Sequence, residues 1–401
     1  MLDTSVSPWP CFTEEEAEAV ASVIRSNRVN YWTGTQCRQF ELEFAQWVGT
    51  RHAIALANGT VALDLALKAI GAGPGDEIVV TPRSFIASAS CVVNCGATPI
   101  FADVERENGN ISAETIAPVL TERSKAIIVV HLGGHPAAMG GIMTLARSRG
   151  LRVIEDCAQA HGARWQGRSV GSIGDIGAWS FCQDKIMTTG GEGGMVTVDD
   201  DELWRSMWSY KDHGKSMAAL ERRDDQETGF RWVHESFGTN WRMMEVQAAL
   251  GRIQLRRLSE WTGRRNRNAE RIWQALKPLA RAEGPVRLAG LAPAASAAPD
   301  VHAFYRFYFY VRPDNLAPGW TRDRIAAEIS EAGIPCLQGS CPEIYREKAF
   351  QDAGLAPLQR LPRAMELGET SLALLVHPTL TDEEVAKTAQ VSADVLRRAA
   401  R

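Results

Sequence analysis

Between residues 50 and 200 the chain alternates short apolar, β-branched runs with longer Ala-rich stretches. The runs HAIALA (52–57), DEIVVTP (76–82), TPIFADV (98–104), KAIIVVHL (125–132), LRVIED (151–156), GAWSF (177–181) and GMVTVD (194–199) read as seven strands. TVALDLALKAIG (60–71) and AMGGIMTLARSRG (138–150) fit between them as helices, the second ended by Gly150. Strands alternating with helices in this way predict an α/β domain with a mainly parallel sheet of seven strands, helices on its faces and one sizeable core.

Outside that region the pattern changes. CRQFELEFAQWVG places Phe40, Phe44 and Trp47 on one helix face, as core residues, and Trp204 and Trp208 fall one turn apart on another helix. EVQAALGRIQLRRLSEW (245–261) predicts a long helix leading into a second domain. GLAPAASAAPD (290–300) reads as a loop, and HAFYRFYFYVRP (302–313) alternates as an exposed-edge antiparallel strand would. Two amphipathic helices follow, with Thr321 and Thr381 as their N-caps. The expected organisation is a large domain with N-terminal helices, 1–255, and a smaller α+β domain, 256–401.

The length of 401 residues suits two domains. A formal charge of −4, with 45% hydrophobic and 23% charged residues, offers no basic field for nucleic acid or an anionic membrane. The first twenty residues show neither a basic leader nor an apolar core, and no later run approaches the roughly 18 apolar residues of a membrane span. A cytoplasmic protein is expected. The eight cysteines are scattered without metal spacing, so they read as reduced and mostly buried, with no metal site.

Two glycine motifs need separating. GAGPGDE (71–77) has the glycines of a dinucleotide fingerprint, but it follows a helix and precedes a strand, the reverse of what that motif requires. A nicotinamide-dependent dehydrogenase is thereby disfavoured. ANGT (57–60) instead follows a strand and opens a helix, so the free N–H groups of Gly59 and Thr60 and the helix dipole make an anion site suited to phosphate. Asn-Gly is also a common helix cap.

Asp156 ends a strand at the carboxyl edge where open parallel sheets bind ligands, with Gln159 and His161 just beyond. A carboxylate there can hold a metal, act as a base or pair with a protonated ring nitrogen, and no metal-spaced cluster accompanies it. In SFCQDKIMTTGGEGGM (180–195), Ser180 and Lys185 stand at the end of another strand. A lysine, an acid, a hydroxyl and a phosphate-binding helix start are together what pyridoxal phosphate requires.

These motifs extend over nearly the whole chain, through FELEFAQWVG, ANGTVALDLALKAIGAGPGDEIVVTPRSFIASA, GATPIFADV, VIEDCAQAHGA, YKDHG, GTNWRMMEVQAALG and LVHPTLTDEEV. In them the sequence resembles the DegT/StrS-type sugar aminotransferases, which have the type I aspartate-aminotransferase fold. The resemblance implies a homodimer with shared active sites and pyridoxal 5′-phosphate carried as an internal aldimine on Lys185, which also serves as base. It implies Asp156 on the pyridine nitrogen, Gln159 on the phenolic oxygen, and Gly59, Thr60 and Ser180 on the phosphate. Phe85 would stand against the cofactor face, although a core phenylalanine is the alternative. Asn240 would reach the phosphate of the other subunit, Arg242 is a candidate for the substrate or the dimer contact, and His213 is a candidate for lining the substrate pocket. His161 and His377 are expected to pack rather than react.

The implied reaction moves an amino group from L-glutamate to a nucleoside-diphosphate-linked keto-sugar, ping-pong, through pyridoxamine phosphate. Dehydratases of the family carry histidine where this chain has Lys185, which favours transamination. A cofactor-binding sensor of the same fold, or an enzyme for a cyclitol ketone, stays open. HLGGHPAAM (131–139) and QGSCPEIY (338–345) depart from common family versions and fall where the substrate is met.

Overall fold

The structure is a computed structural model that describes residues 6–222, 230–290, 292–293 and 299–401. Much of the loop expected over 290–300 lies outside the described residues. Strands β1 (His52–Leu56), β2 (Glu77–Val80), β3 (Thr98–Phe101), β4 (Ser124–Val130), β5 (Arg152–Asp156), β6 (Ile176–Ser180) and β7 (Gly194–Val198) form one sheet in the order β1-β7-β6-β5-β4-β2-β3. Pairing is parallel from β3 through β6, while β7 runs antiparallel to both of its neighbours. The expected seven-stranded, mainly parallel sheet is present, with strand ends within a few residues of the predicted ones.

Side-chain alternation explains the apolar runs. Ile78, Val80, Ile128, Ile154 and Val196 point to one face, where helices α2 (Gly59–Ala69) and α3 (Ala87–Asn94) pack through Leu63, Ala66 and Val92. Val79, Ile127, Val129 and Val153 point to the other, covered by Met139, Ile142 and Ala146 of α4 (Met139–Arg149). Helix α1 (Gln36–Val48) adds buried Phe40 and Phe44, with Trp47 partly buried against them. A sheet covered on both faces needs apolar residues at every position, which is why these strands are visible in the sequence.

Helix α5 (Glu245–Leu276) leads to a second, antiparallel sheet of β8 (Val286–Leu288), β9 (Phe307–Val311), β10 (Cys336–Leu337) and β11 (Ser371–Leu374), ordered β8-β9-β11-β10. The strand expected as an exposed edge is therefore a central one, buried throughout. Its Phe307, Phe309 and Val311 pack with Ile272 and Leu276 of α5 and with Leu396 of α6 (Asp382–Ala399). Tyr308 and Tyr310 point the other way, against the first domain, Tyr310 within the same cluster as Val79 and Ile127. The polar-looking alternate positions were tyrosines at a domain junction rather than a solvated face. Thr321 and Thr381 cap their helices as expected, each accepting a 3.1 Å bond from the third residue on.

Cys37, Cys91 and Cys157 are buried, four other cysteines are partly covered and Cys11 is exposed, so burial is less general than the sequence suggested. All eight are free thiols. Among the described residues no helix is long and apolar enough to cross a membrane.

Candidate active site

The segments that follow β2, β5 and β6 border a cavity of about 330 Å³ whose other wall comes from residues between 305 and 341. Its wall includes Phe85, Gln159, Asp184 and Lys185 from the first domain, and Tyr305, Arg306, Tyr308, Leu337, Gly339, Ser340 and Cys341 from the second.

Lys185 stands just past β6. Its Nζ lies 3.3 Å from Oδ1 of Asp184 and 5.4 Å from the centroid of the Tyr305 ring, while the Tyr305 hydroxyl donates to the other Asp184 oxygen. Burial disfavours the ammonium, but the neighbouring Tyr305 and Asp184 outweigh it and hold the lysine above its ordinary pKa. Burial likewise works against the Asp184 carboxylate, and Lys185 and Tyr305 bring it below the usual carboxylate range.

Asp156 is buried at the end of β5. Its Oδ2 accepts a 2.7 Å bond from the Ser88 hydroxyl and its Oδ1 a 3.1 Å bond from the Ala158 N–H. Burial raises its pKa, opposed by those two bonds and by the charge of Lys185. Gln159 is oriented at both ends: Oε1 accepts from the Gly133 N–H at 2.8 Å and Nε2 donates to Ser340 Oγ at 3.4 Å. The two segments that depart from common family versions thus both reach Gln159.

At the start of α2, Asn58 accepts from the Val61 N–H at 3.0 Å, which leaves the amides of Gly59 and Thr60 unclaimed by that cap. Gly59 approaches β6 so closely that a Cβ there would lie 2.5 Å from Ser180 Cβ and 3.0 Å from its Oγ. The helix start and the Ser180 hydroxyl therefore form one cradle. Phe85 is 66% exposed, which rules out a core role, and it faces the cavity.

The remaining candidates lie elsewhere in the single chain. Asn240 is exposed and bridges through its backbone to Asp212. Arg242 bonds to the buried Asp212 carboxylate, which Lys215 and Trp32 also hold. His213 is exposed, in a left-handed conformation at φ 60°. None of the three is on the cavity wall. His161 is buried between the rings of Trp179 and Phe181, and burial lowers its pKa to about 3. His377 is buried with Nδ1 2.9 Å from Thr379 Oγ1.

Comparison with known proteins matches residues 10–391 to the DegT/DnrJ/EryC1/StrS aminotransferase family. The chain belongs to this family. It is similar to a solved aminotransferase from Psychrobacter cryohalolentis, at 58% identity and a TM-score of 0.95 over 98% of this chain and 99% of that one. It is 34% identical to the Streptomyces venezuelae dTDP-3-amino-3,4,6-trideoxy-alpha-D-glucose transaminase, over 91% of this chain and 88% of that protein. It is 36% identical to an Acidithiobacillus ferrooxidans UDP-N-acetyl-3-dehydro-alpha-D-glucosamine 3-aminotransferase, over 89% of this chain and 88% of that protein.

The aminotransferase takes pyridoxal phosphate as its cofactor, and the residues present fit it. An anion cradle that excludes a Cβ, a buried carboxylate held by one hydroxyl and one backbone N–H, and a lysine on the cavity wall are the three contacts such a group needs. Asp184, Tyr305, Arg306 and Tyr308 on that wall are not singled out by the sequence, whereas Ser340 falls in the 338–345 segment expected to meet the substrate. Asp184 adjoins Lys185 and could have been suspected; Tyr305, Arg306 and Tyr308 come from a distant segment with no local signature.

One further cluster lies behind Asp156. His131, Glu155 and Cys157 are fully buried with ligand atoms within 4.8 Å of one another. Their polar atoms are engaged internally: His131 Nδ1 accepts from the Ala137 N–H, His131 Nε2 meets Glu155 Oε2 at 3.0 Å, and Glu155 Oε1 accepts from Ile173 and Gly174.

Proposed function

We propose that this aminotransferase transfers an amino group from L-glutamate to a keto-sugar linked to a nucleoside diphosphate, in two half-reactions that use the same cavity, as a homodimer. The observation that carries the reading is that Lys185 and Gln159 share one cavity wall, with Asp156 buried three residues before Gln159 and Gly59 packed against Ser180 at the end of the strand that leads to Lys185. The two curated relatives described above are named for amino transfer to sugars carrying dTDP or UDP, which supports the substrate class.

Bound pyridoxal phosphate supplies a carbonyl that condenses with amines and a protonated ring that draws electrons from the reacting carbon. Lys185 would hold the cofactor through its Nζ and, with that amine free, would serve as the base that takes the proton from the donor's α-carbon. Asp156 keeps the ring nitrogen protonated. Gln159, fixed by Gly133 and Ser340, donates toward the ring oxygen. Gly59, Thr60 and Ser180 bind the phosphate, and Phe85 covers a ring face. The ketone is processed by the same groups in the reverse order.

Asn240, exposed here, would complete the phosphate site of the partner subunit. The homodimer is supported by large exposed side chains on the same stretch, Phe230, Trp232 and Phe237, at 78%, 85% and 99% exposure. Arg242 and His213 would then meet the substrate only from across that interface. The same reading divides the chain into a cofactor-binding part, 1–255, and a smaller part, 256–401, which closes the cavity.

The test is an absorbance spectrum of the purified protein before and after L-glutamate, with Lys185→Ala alongside. A near-visible band that depends on Lys185 and moves to shorter wavelength with glutamate is expected. A band indifferent to glutamate would favour a sensor or another donor. No band after added pyridoxal phosphate would overturn the reading.

A further inference from the structure

One guanidinium group on the cavity wall and one behind that wall make no hydrogen bond to an anion. Arg306 stands on the wall and makes no hydrogen bond or ion pair with the described residues; its neighbour is the Tyr305 ring, 4.7 Å from its Cζ. Lys185 approaches that same ring. Arg83, two residues before Phe85, is fully buried, and none of its three guanidinium nitrogens has a hydrogen-bond partner. The rings of Tyr308 and Tyr310, each 5.9 Å away, are its recognisable company, and Tyr308 is itself a wall residue. The carboxylate on the wall is Asp184; the charge of Arg306 helps to keep it ionised, but its two oxygens are bound to Lys185 and Tyr305, which leaves the guanidinium's own donors open.

A buried charge without a partner is costly, and two of one sign beside one cavity form a field suited to an anion. The amino donor brings that anion of necessity. Its nitrogen must arrive where Lys185 stands, and its α-carboxylate is one bond from the carbon bearing that nitrogen. Arg306 is the arginine among the wall residues, and its planar fork matches a carboxylate in a way that a second lysine would not.

We propose that Arg306 receives a carboxylate of the amino donor, with the unpaired charge of Arg83 behind Tyr308 strengthening the site. The proposal rests on the transaminase reading above. When the keto-sugar occupies the cavity, the same guanidinium meets its hydroxyls or a carboxylate that it carries, so one residue serves both half-reactions.

The experiment uses the holoenzyme and its Arg306→Gln and Arg306→Lys variants. Calorimetric titration with glutarate, a dicarboxylate without an amine, reads binding apart from turnover. Glutarate should bind the parent protein, at least about tenfold more weakly the Gln variant, and with intermediate strength the Lys variant. The thermal midpoint should stay close to the parent's, since Arg306 is half-buried and makes no hydrogen bond or ion pair with the described residues. Spectral titration with L-glutamate and L-norvaline then separates the two carboxylates: a selective loss for glutamate places Arg306 on the distal group, and an equal loss places it on the α-carboxylate. Equal glutarate affinity in parent and Gln variant, or none in the parent, overturns the proposal. A parent whose spectrum ignores glutamate overturns the transaminase reading instead, and the glutarate comparison still decides the role of Arg306.

Discussion

The hydroxyl of Ser88 donates a 2.7 Å hydrogen bond to Oδ2 of Asp156, joining the start of α3 to the end of β5. Ser88 is in turn 2.9 Å from the Ser84 hydroxyl. Burial pushes the Asp156 carboxyl upward, and the Ser88 bond is the largest influence opposing it. Ser88→Ala should therefore raise the Asp156 pKa further and let the carboxyl protonate at higher pH, where a neutral acid no longer pairs with a protonated ring. Removing a hydrogen bond to a charged group costs about 1.5–3 kcal/mol, so cofactor affinity should fall about tenfold or more, with the deficit growing as pH falls. Titration of the apoprotein with pyridoxal phosphate across pH measures this, and Ser88→Thr should restore the parent curve. Identical affinity at every pH would mean that the Ala158 N–H suffices.

Gly59 carries a second prediction. A methyl group there would collide with the Ser180 side chain, so Gly59→Ala must push the start of α2 away from β6. Overpacking of this kind costs about 1–3 kcal/mol of stability. Because the displaced amides are those aimed at the phosphate, cofactor affinity should fall more than stability does. Asn58→Ala is the comparison, since it removes only the cap to the Val61 N–H and should cost about 1 kcal/mol. If both variants lose the same ratio of affinity to stability, the cradle is not the phosphate site.

How far these groups could be read from the sequence depends on where each stands. Asp156 ends one buried, continuously apolar strand, with Gln159 three residues on, and Lys185 comes five residues after another such strand, so local pattern puts all three near one sheet edge. Ser88 looks like any polar residue on a short helix, and nothing nearby reveals that it faces a carboxylate 68 positions away. Tyr305 and Arg306 arrive from a distant segment whose approach to the cavity has no local signature, and Ser340 was marked only through the departure of 338–345 from common family versions. β9 was misplaced at an edge for the same reason, because Tyr308 and Tyr310 meet another domain rather than water.

The exposed aromatic side chains from 230 to 237 predict a change in assembly. Burying one large aromatic side chain contributes about 2–3 kcal/mol, so Trp232→Glu combined with Phe237→Asp should weaken the dimer by about a hundredfold or more. Sedimentation equilibrium should show a dimer for the parent and a monomer for the double variant at micromolar concentration. Cofactor affinity should fall with it, since Asn240 would lose its partner. A parent protein that sediments as a monomer would refute both the interface and the shared site.

His131 and Glu155 pose a problem of protons that a single substitution can test. The Ala137 N–H donates to His131 Nδ1, so the ring proton of neutral His131 sits on Nε2 and points at Glu155 Oε2. In Glu155→Gln the amide oxygen can go on accepting from Ile173 and Gly174, but its NH2 then faces the His131 N–H, donor against donor. The imidazole cannot exchange tautomers without losing Ala137. The variant should be less stable by about 1–3 kcal/mol at neutral pH. Burial alone would raise the Glu155 pKa, yet His131 and the backbone donors bring it below the ordinary value of 4.5. An acid whose pKa is lower folded than unfolded stabilises the fold above its unfolded pKa and loses that contribution as pH falls. The gap between parent and variant should thus be full above pH 4.5 and shrink below it, measured by urea unfolding of the apoprotein over a pH series. Parallel curves down to the acid limit would show that Glu155 is not ionised in the fold.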